Sequence, residues 1–149
     1  MEDLILVMLI TILFCYIAHV SLKDDLKVYY DPMLVKLEND LLEIYPPYRD
    51  LNVTILGAND SFTENKKKMF ICLKNKNGEY YDYNTLIYIT MHELAHVLTS
   101  TYKDSHGEEF TDIFKYLVSS AKNKNLFDDS KPIKYDFCGV QQVMHKYWK

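Results

Sequence analysis

Glycine and proline are scarce in this sequence, four of each in 149 residues. Their scarcity excludes collagen-like, elastic and Pro/Gly-rich low-complexity chains, and no internal repeat is visible that would suggest a solenoid. Cysteine is equally sparse. Cys15, Cys72 and Cys138 are odd in number, widely separated and without a C-x-x-C pair, so they do not form a cysteine-held metal site or a dithiol redox motif. Joining Cys72 to Cys138 would need an oxidising space, and two buried or free thiols are the plainer expectation. Excess positive charge is also missing. With a formal net charge of −4 and a pI near 5.7, the chain has no basic field to hold a polyanion, and nucleic acid is not the partner that composition suggests. Nothing in the sequence bears on oligomeric state.

What remains is a globular composition, rich in tyrosine with 13 residues, and a length suited to a single compact domain. Long apolar runs are absent except at the start. There "LILVMLITILFCYIAHV", residues 4–20, carries no charge, and Lys23, Asp24 and Asp25 follow shortly after. The run reaches the lower limit for a bilayer-spanning helix. It opens Met-Glu-Asp and lacks a positive n-region and a small-residue cleavage site, so it predicts an uncleaved anchor over residues 1–22 and a domain over residues 23–149. The expected localisation is therefore that of a single-pass membrane protein. Lys23 and Lys27 slightly favour a cytoplasmic domain, while the sequons at Asn52 and Asn59 read as chance matches in an Asn-rich chain.

Along the domain, Asp31-Pro32 followed by Leu34, Leu37, Leu41 and Leu42 predicts an amphipathic helix over residues 32–44. "NVTILGA" predicts a β-branched strand, and the two apolar runs about Asn77-Gly78 predict a hairpin. From Asn84, a suitable N-cap, about five turns run without a helix breaker through Leu86, Ile87, Ile89, Leu94, Val97 and Leu98. This helix is expected to end near Thr101. A second helix begins at Asp104 or Ser105 and buries Phe110, Ile113, Phe114, Leu117 and Val118. Turn chemistry surrounds Pro132, and a short helix from about Phe137 closes the chain.

The chemistry concentrates in "MHELAHVLTSTYKDSHGEEF", which holds three of the five histidines. On a helix, His92 and His96 lie about 6 Å apart on one face, as two ligands of one tetrahedral zinc require. Glu93 is turned about 100° from His92. That places its carboxylate beside the metal, where it can take a proton from zinc-activated water and pass it to a leaving amine. H-E-x-x-H also occurs by chance in helices. Here, however, unpaired His and Glu side chains on a mostly buried helix would be unfavourable unless a metal satisfied them. A third protein ligand must come from elsewhere. The metzincin spacing would need Gly at 99 and His at 102, where the chain has Thr99 and Tyr102. Glu108 and Glu109 leave the chain little length in which to reverse, and Asp104 is nearer still. His106 is the favoured ligand, because a helix end and the turn "YKDS" fit within the nine residues between His96 and His106. Glu109, Asp104 and the lack of a third ligand stay open at this level. His19 and His145 are ordinary interfacial and tail residues.

His92-Glu93-x-x-His96 followed by His106-Gly107-x-x-Phe110 resembles the H-E-x-x-H…H-G-x-x-F signature of the SprT-like and WLM zinc metallopeptidases, whose Spartan members cleave proteins crosslinked to DNA. The resemblance covers roughly residues 65–120. It implies an α+β, zincin-like metalloprotease domain, with a hairpin or small sheet beside the active-site helix and the helix after it. It also implies a zinc cofactor held by His92, His96 and His106, Glu93 as general base, and Phe110 as a packing residue. The segments "KKKMFICLKNKNGEYYDYNTLIYITMHELAH" and "LFDDSKPIKYDFCGV" are similar to WLM-type proteins of large DNA viruses. Two departures stand out: the basic or zinc-binding extensions of DNA-directed members are missing, and the apolar leader stands in their place. The expected function is thus a membrane-anchored zinc metallopeptidase acting on protein or peptide substrates. Its rivals are a non-catalytic membrane or virion protein that keeps the fold, and a soluble DNA-protein-crosslink protease. Tyr135, or a tyrosine before the motif, is a candidate oxyanion donor.

Overall fold

A computed structural model describes residues 2–29, 31–100, 106–133 and 138. The order of elements is α1 (Glu2–Tyr29), α2 (Pro32–Ile44), β1 (Thr54–Ala58), β2 (Phe62–Glu64), β3 (Lys68–Cys72), α3 (Tyr83–Leu98) and α4 (Glu108–Asn123). A short 3-10 segment, Pro46–Asp50, links α2 to the sheet.

The ends of α2 follow from local chemistry. The Asp31 carboxylate accepts the Met33 amide at 2.9 Å, which satisfies one of the unpaired donors of the first turn, and Pro32 supplies a preset φ. Leu34, Leu37, Leu41 and Ile44 form its buried stripe. Asp82, and not Asn84, caps α3: its carboxylate accepts the Thr85 amide at 2.9 Å and the Thr85 hydroxyl at 2.7 Å. Asn84 is instead drawn into the interior, where its side chain donates to the Asp128 carbonyl at 3.0 Å and accepts the Asp128 amide at 2.8 Å. It ties the start of α3 to the chain beyond α4. That helix starts at Gly107, whose backbone serves as N-cap.

The sheet has three strands in the order β1-β3-β2, with β1 parallel to β3 and β2 antiparallel to it. β2 and β3 are joined by a tight turn in which Asn65 and Lys66 both take positive φ, and the Lys67 amide donates to the Glu64 carbonyl at 3.0 Å. The hairpin expected at Asn77-Gly78 is present in short form. Gly78 adopts the positive φ of 80° that the turn needs, and the antiparallel bridge Lys74–Tyr80 is flanked by the Asn75 amide donating to the Glu79 carbonyl at 2.8 Å and the Tyr81 amide donating to the Leu73 carbonyl at 3.0 Å. A second hairpin, β2–β3, precedes it.

α3 is packed by β2 and β3, by α2 and by α4, so nearly all of its circumference is buried. Leu86, Ile87, Met91 and Leu94 meet Leu37 and Leu41 of α2, Met69 and Ile71 of β3, and Phe110, Phe114 and Leu117 of α4 in one core. Such central placement holds a helix rigidly, because tight interiors leave little room for side-chain displacement.

Two expectations are corrected. α1 forms, but among the described residues no helix is long and apolar enough to cross a membrane; the transmembrane anchor over residues 1–22 and the single-pass membrane localisation are therefore not supported. At 1.5 Å per residue the uncharged run, residues 4–22, covers about 29 Å, just short of a roughly 30 Å hydrocarbon layer. The helix then continues without a break through Lys23, Asp24, Asp25 and Lys27. Second, Cys72 and Cys138 are not free thiols. They form a disulfide with a Cα–Cα distance of 6.3 Å, leaving Cys15 exposed and unpaired. The helix expected from Phe137, a cap at Asp104 or Ser105, Tyr135 and His145 lie outside the described residues.

Candidate metal centre

His92 and His96 project from the same face of α3, with their Nε2 atoms 3.2 Å apart. His106, in the turn just before α4, points back at them and places its Nε2 3.3 Å from that of His92. Each of the three offers one ligand atom, and all these atoms lie within 4.8 Å of one another, which makes a group able to hold a metal ion. With metal–nitrogen bonds of about 2.0–2.1 Å, two ligands of a tetrahedral ion stand about 3.3–3.4 Å apart. The two separations from His92 Nε2, 3.2 and 3.3 Å, fit that edge. Three mutually facing ring nitrogens cannot all be satisfied by hydrogen bonds to one another, whereas one cation would satisfy all of them.

Electrostatics keeps the rings in their ligating form. Burial, then the neighbouring His96 and His106, push the His92 pKa down to about 3. Burial, then His106, push His96 down to about 4. Neutral imidazoles are what a metal binds. Phe110, fully buried, floors the cluster, with ring centroids 4.6 Å from His96, 4.8 Å from His106 and 5.0 Å from His92. Phe114 meets His92 edge-on at 5.5 Å.

Glu93 is buried beside His92, only 5% exposed. Its Oε2 accepts a hydrogen bond from the Thr63 hydroxyl at 2.8 Å. Burial raises its pKa to about 7, against the opposing effect of the Thr63 bond. A carboxylate with near-neutral proton affinity beside a cluster of imidazoles can accept and return a proton near pH 7.

The remaining candidate ligands fall away or lie out of view. Glu109 Oε1 accepts the Ser100 amide at 2.9 Å and the Ser100 hydroxyl at 2.7 Å, bracing the α3–α4 connection. Glu108 is exposed, and Asp104 lies outside the described residues. Among the tyrosines before the motif, Tyr80 donates to Asp31 and Tyr83 to Asp40. Tyr81 accepts from the Cys138 amide, while Tyr88 packs on Phe114 and Phe127. None of these contacts reaches the histidines. Thr63 was not visible as a site residue in the sequence, since "SFTENK" has no apolar run to mark it as a strand.

No family model matches the chain, and no solved structure matches it. It is 44% identical over 81 residues to an uncharacterized protein of Invertebrate iridescent virus 6, a match covering 52% of this chain and 44% of the viral one. It is 33% identical over 99 residues to an uncharacterized protein of Invertebrate iridescent virus 3, covering 63% of this chain and 61% of that protein. A third relative, an uncharacterized protein of Acanthamoeba polyphaga mimivirus, is 34% identical over 88 residues, covering 56% of this chain and 44% of the relative. The chain thus spans between 44% and 61% of the length of these viral relatives.

Proposed function

We propose that this chain is a zinc-dependent metallopeptidase in which His92, His96 and His106 hold the metal and Glu93 is the general base. The observation that carries the proposal is the convergence of three imidazole nitrogens, two of the separations being 3.2 and 3.3 Å, beside a buried glutamate on the same helix. Imidazole suits several transition metals. A set of three histidines that leaves a coordination position open favours zinc used in hydrolysis. Zinc bound there would acidify a water and polarise the scissile carbonyl of a peptide.

The protein's own groups supply the rest. Glu93 takes the proton of the attacking water and delivers it to the departing amine, a cycle that needs a proton affinity near neutrality; burial of its carboxyl provides it. Phe110 keeps the three rings from rotating away. Substrates are proteins or peptides, in keeping with the resemblance to SprT-like and WLM peptidases. The net charge of −4 does not favour a duplex-bound substrate.

Glu93→Gln tests the reading. Wild type and variant should each bind about one zinc per chain, and only the wild type should cleave casein. A wild type that takes up no zinc, or one that is zinc-loaded and fails to cleave unfolded protein substrates, overturns the proposal.

A further inference from the structure

Thr63 lies on β2, an edge strand of the sheet, and approaches Glu93 across thirty positions of sequence. Its hydroxyl is 2.8 Å from Glu93 Oε2 and 3.0 Å from the Glu93 carbonyl. A hydroxyl has one proton to donate. The shorter contact goes to the group that carries charge when ionised, and charge-assisted bonds are the stronger ones. Oε1 of Glu93 has no hydrogen-bond partner among the described residues.

β2 itself is anchored around Thr63. Phe62 stacks on Phe70 of β3 at 4.5 Å. At the following turn, the Lys66 ammonium donates to the Thr99 carbonyl at the C-terminal end of α3. The strand is thus tied to β3 on one side and to α3 at two points, and Thr63 meets Glu93 from a fixed position. The Thr63 hydroxyl is the hydrogen-bond donor that reaches the Glu93 carboxylate among the described residues.

Resting on the peptidase reading, we propose that Thr63 is the positioning residue of the general base: its hydroxyl holds Glu93 Oε2 and leaves Oε1 to exchange the proton. Thr63→Val keeps the β-branched shape and removes only the donor, whereas Thr63→Ser keeps the donor. On a casein-derived peptide, Thr63→Val should lower kcat on the order of ten- to a hundredfold with KM and zinc content unchanged. Thr63→Ser should recover most of the rate.

A second readout is independent of turnover. In metal-free protein, the effects of Thr63→Val and Glu93→Ala on the denaturant midpoint should be non-additive, because each removes the same bond. Wild-type kcat in Thr63→Val, equal impairment in Thr63→Ser, or additive midpoints would each overturn the proposal. Were Thr63→Val not to fold, Thr63→Ala would carry the same comparison. Non-additive midpoints in the metal-free protein, together with a zinc-loaded wild type that cleaves nothing, would leave the Thr63–Glu93 hold standing and remove the peptidase reading alone.

Discussion

His106 and His92 are separated by fourteen residues in the chain, yet their Nε2 atoms lie 3.3 Å apart. The reversal that joins them depends on α3 ending at Leu98 and on Glu109 of α4 holding Ser100 through its amide and hydroxyl. The third histidine is therefore placed by a helix–helix junction, whereas the first two are placed by the pitch of one helix.

This division makes His106 the candidate ligand whose removal is most cleanly read. His106→Ala leaves α3 and its two stacked imidazoles in place, but a pair of histidines is a weak site for a tetrahedral ion. Metal analysis after dialysis should show about one zinc per chain in the wild type and close to none in the variant. Full retention of zinc in His106→Ala would shift the assignment to another side chain, with Asp104 next in line.

Helices and the pairing of His92 with His96 are legible in the sequence to the extent that local rules produce them. Asp31-Pro32 and the Leu34, Leu37, Leu41 spacing define α2 because capping and amphipathicity act within a few residues. His92 and His96 are paired by helix geometry alone. Long-range pairings left no local mark. Thr63 sits in a three-residue strand whose register is set by β3 and not by its own hydrophobicity. Asn84 had the chemistry of a cap, yet its amide bonds the backbone of Asp128, and Asp82 took the cap. The Cys72–Cys138 disulfide spans a separation of 66 residues, over which spacing carries no information. The apolar start of the chain suggests a membrane span because its uncharged run reaches the lower limit of length, yet among the described residues no helix is long and apolar enough to cross a membrane.

Phe110 offers a test of how the core supports the site. The ring is fully buried and touches all three imidazoles as well as Phe114, at 5.9 Å between centroids. Phe110→Ala should destabilise the fold by roughly 3–5 kcal/mol through lost contacts and the cavity left behind. Phe110→Leu should fold, since it keeps much of the apolar volume, and should weaken zinc binding on the order of tenfold as the rings lose their lateral support. Competition with a chromophoric chelator measures the second effect. Unchanged zinc affinity in Phe110→Leu would reduce the phenylalanine to a filler of the core.

The buried carboxylate and the half-buried imidazoles act in opposite directions on the stability of the metal-free protein. His92 and His96 have folded-state pKa values of about 3 and about 4, below the ordinary 6.5. The unfolded chain therefore binds more protons, and stability present above pH 6.5 is lost as pH falls toward 4. Glu93 has a folded value of about 7, above its ordinary 4.5. Its burial carries no penalty below pH 4.5, a growing one between pH 4.5 and 7, and the full one above. Glu93→Gln removes that penalty while leaving the amide oxygen to accept the Thr63 hydroxyl. The metal-free variant should thus be more stable than metal-free wild type at pH 8, by about 3 kcal/mol, and no more stable at pH 4. Thermal unfolding of both proteins in chelator, at the two pH values, measures the difference. An equal gain at both pH values would mean that the substitution acts through packing and not through the ionisation of Glu93, and a loss at pH 8 would show that the carboxylate is stabilised where it lies.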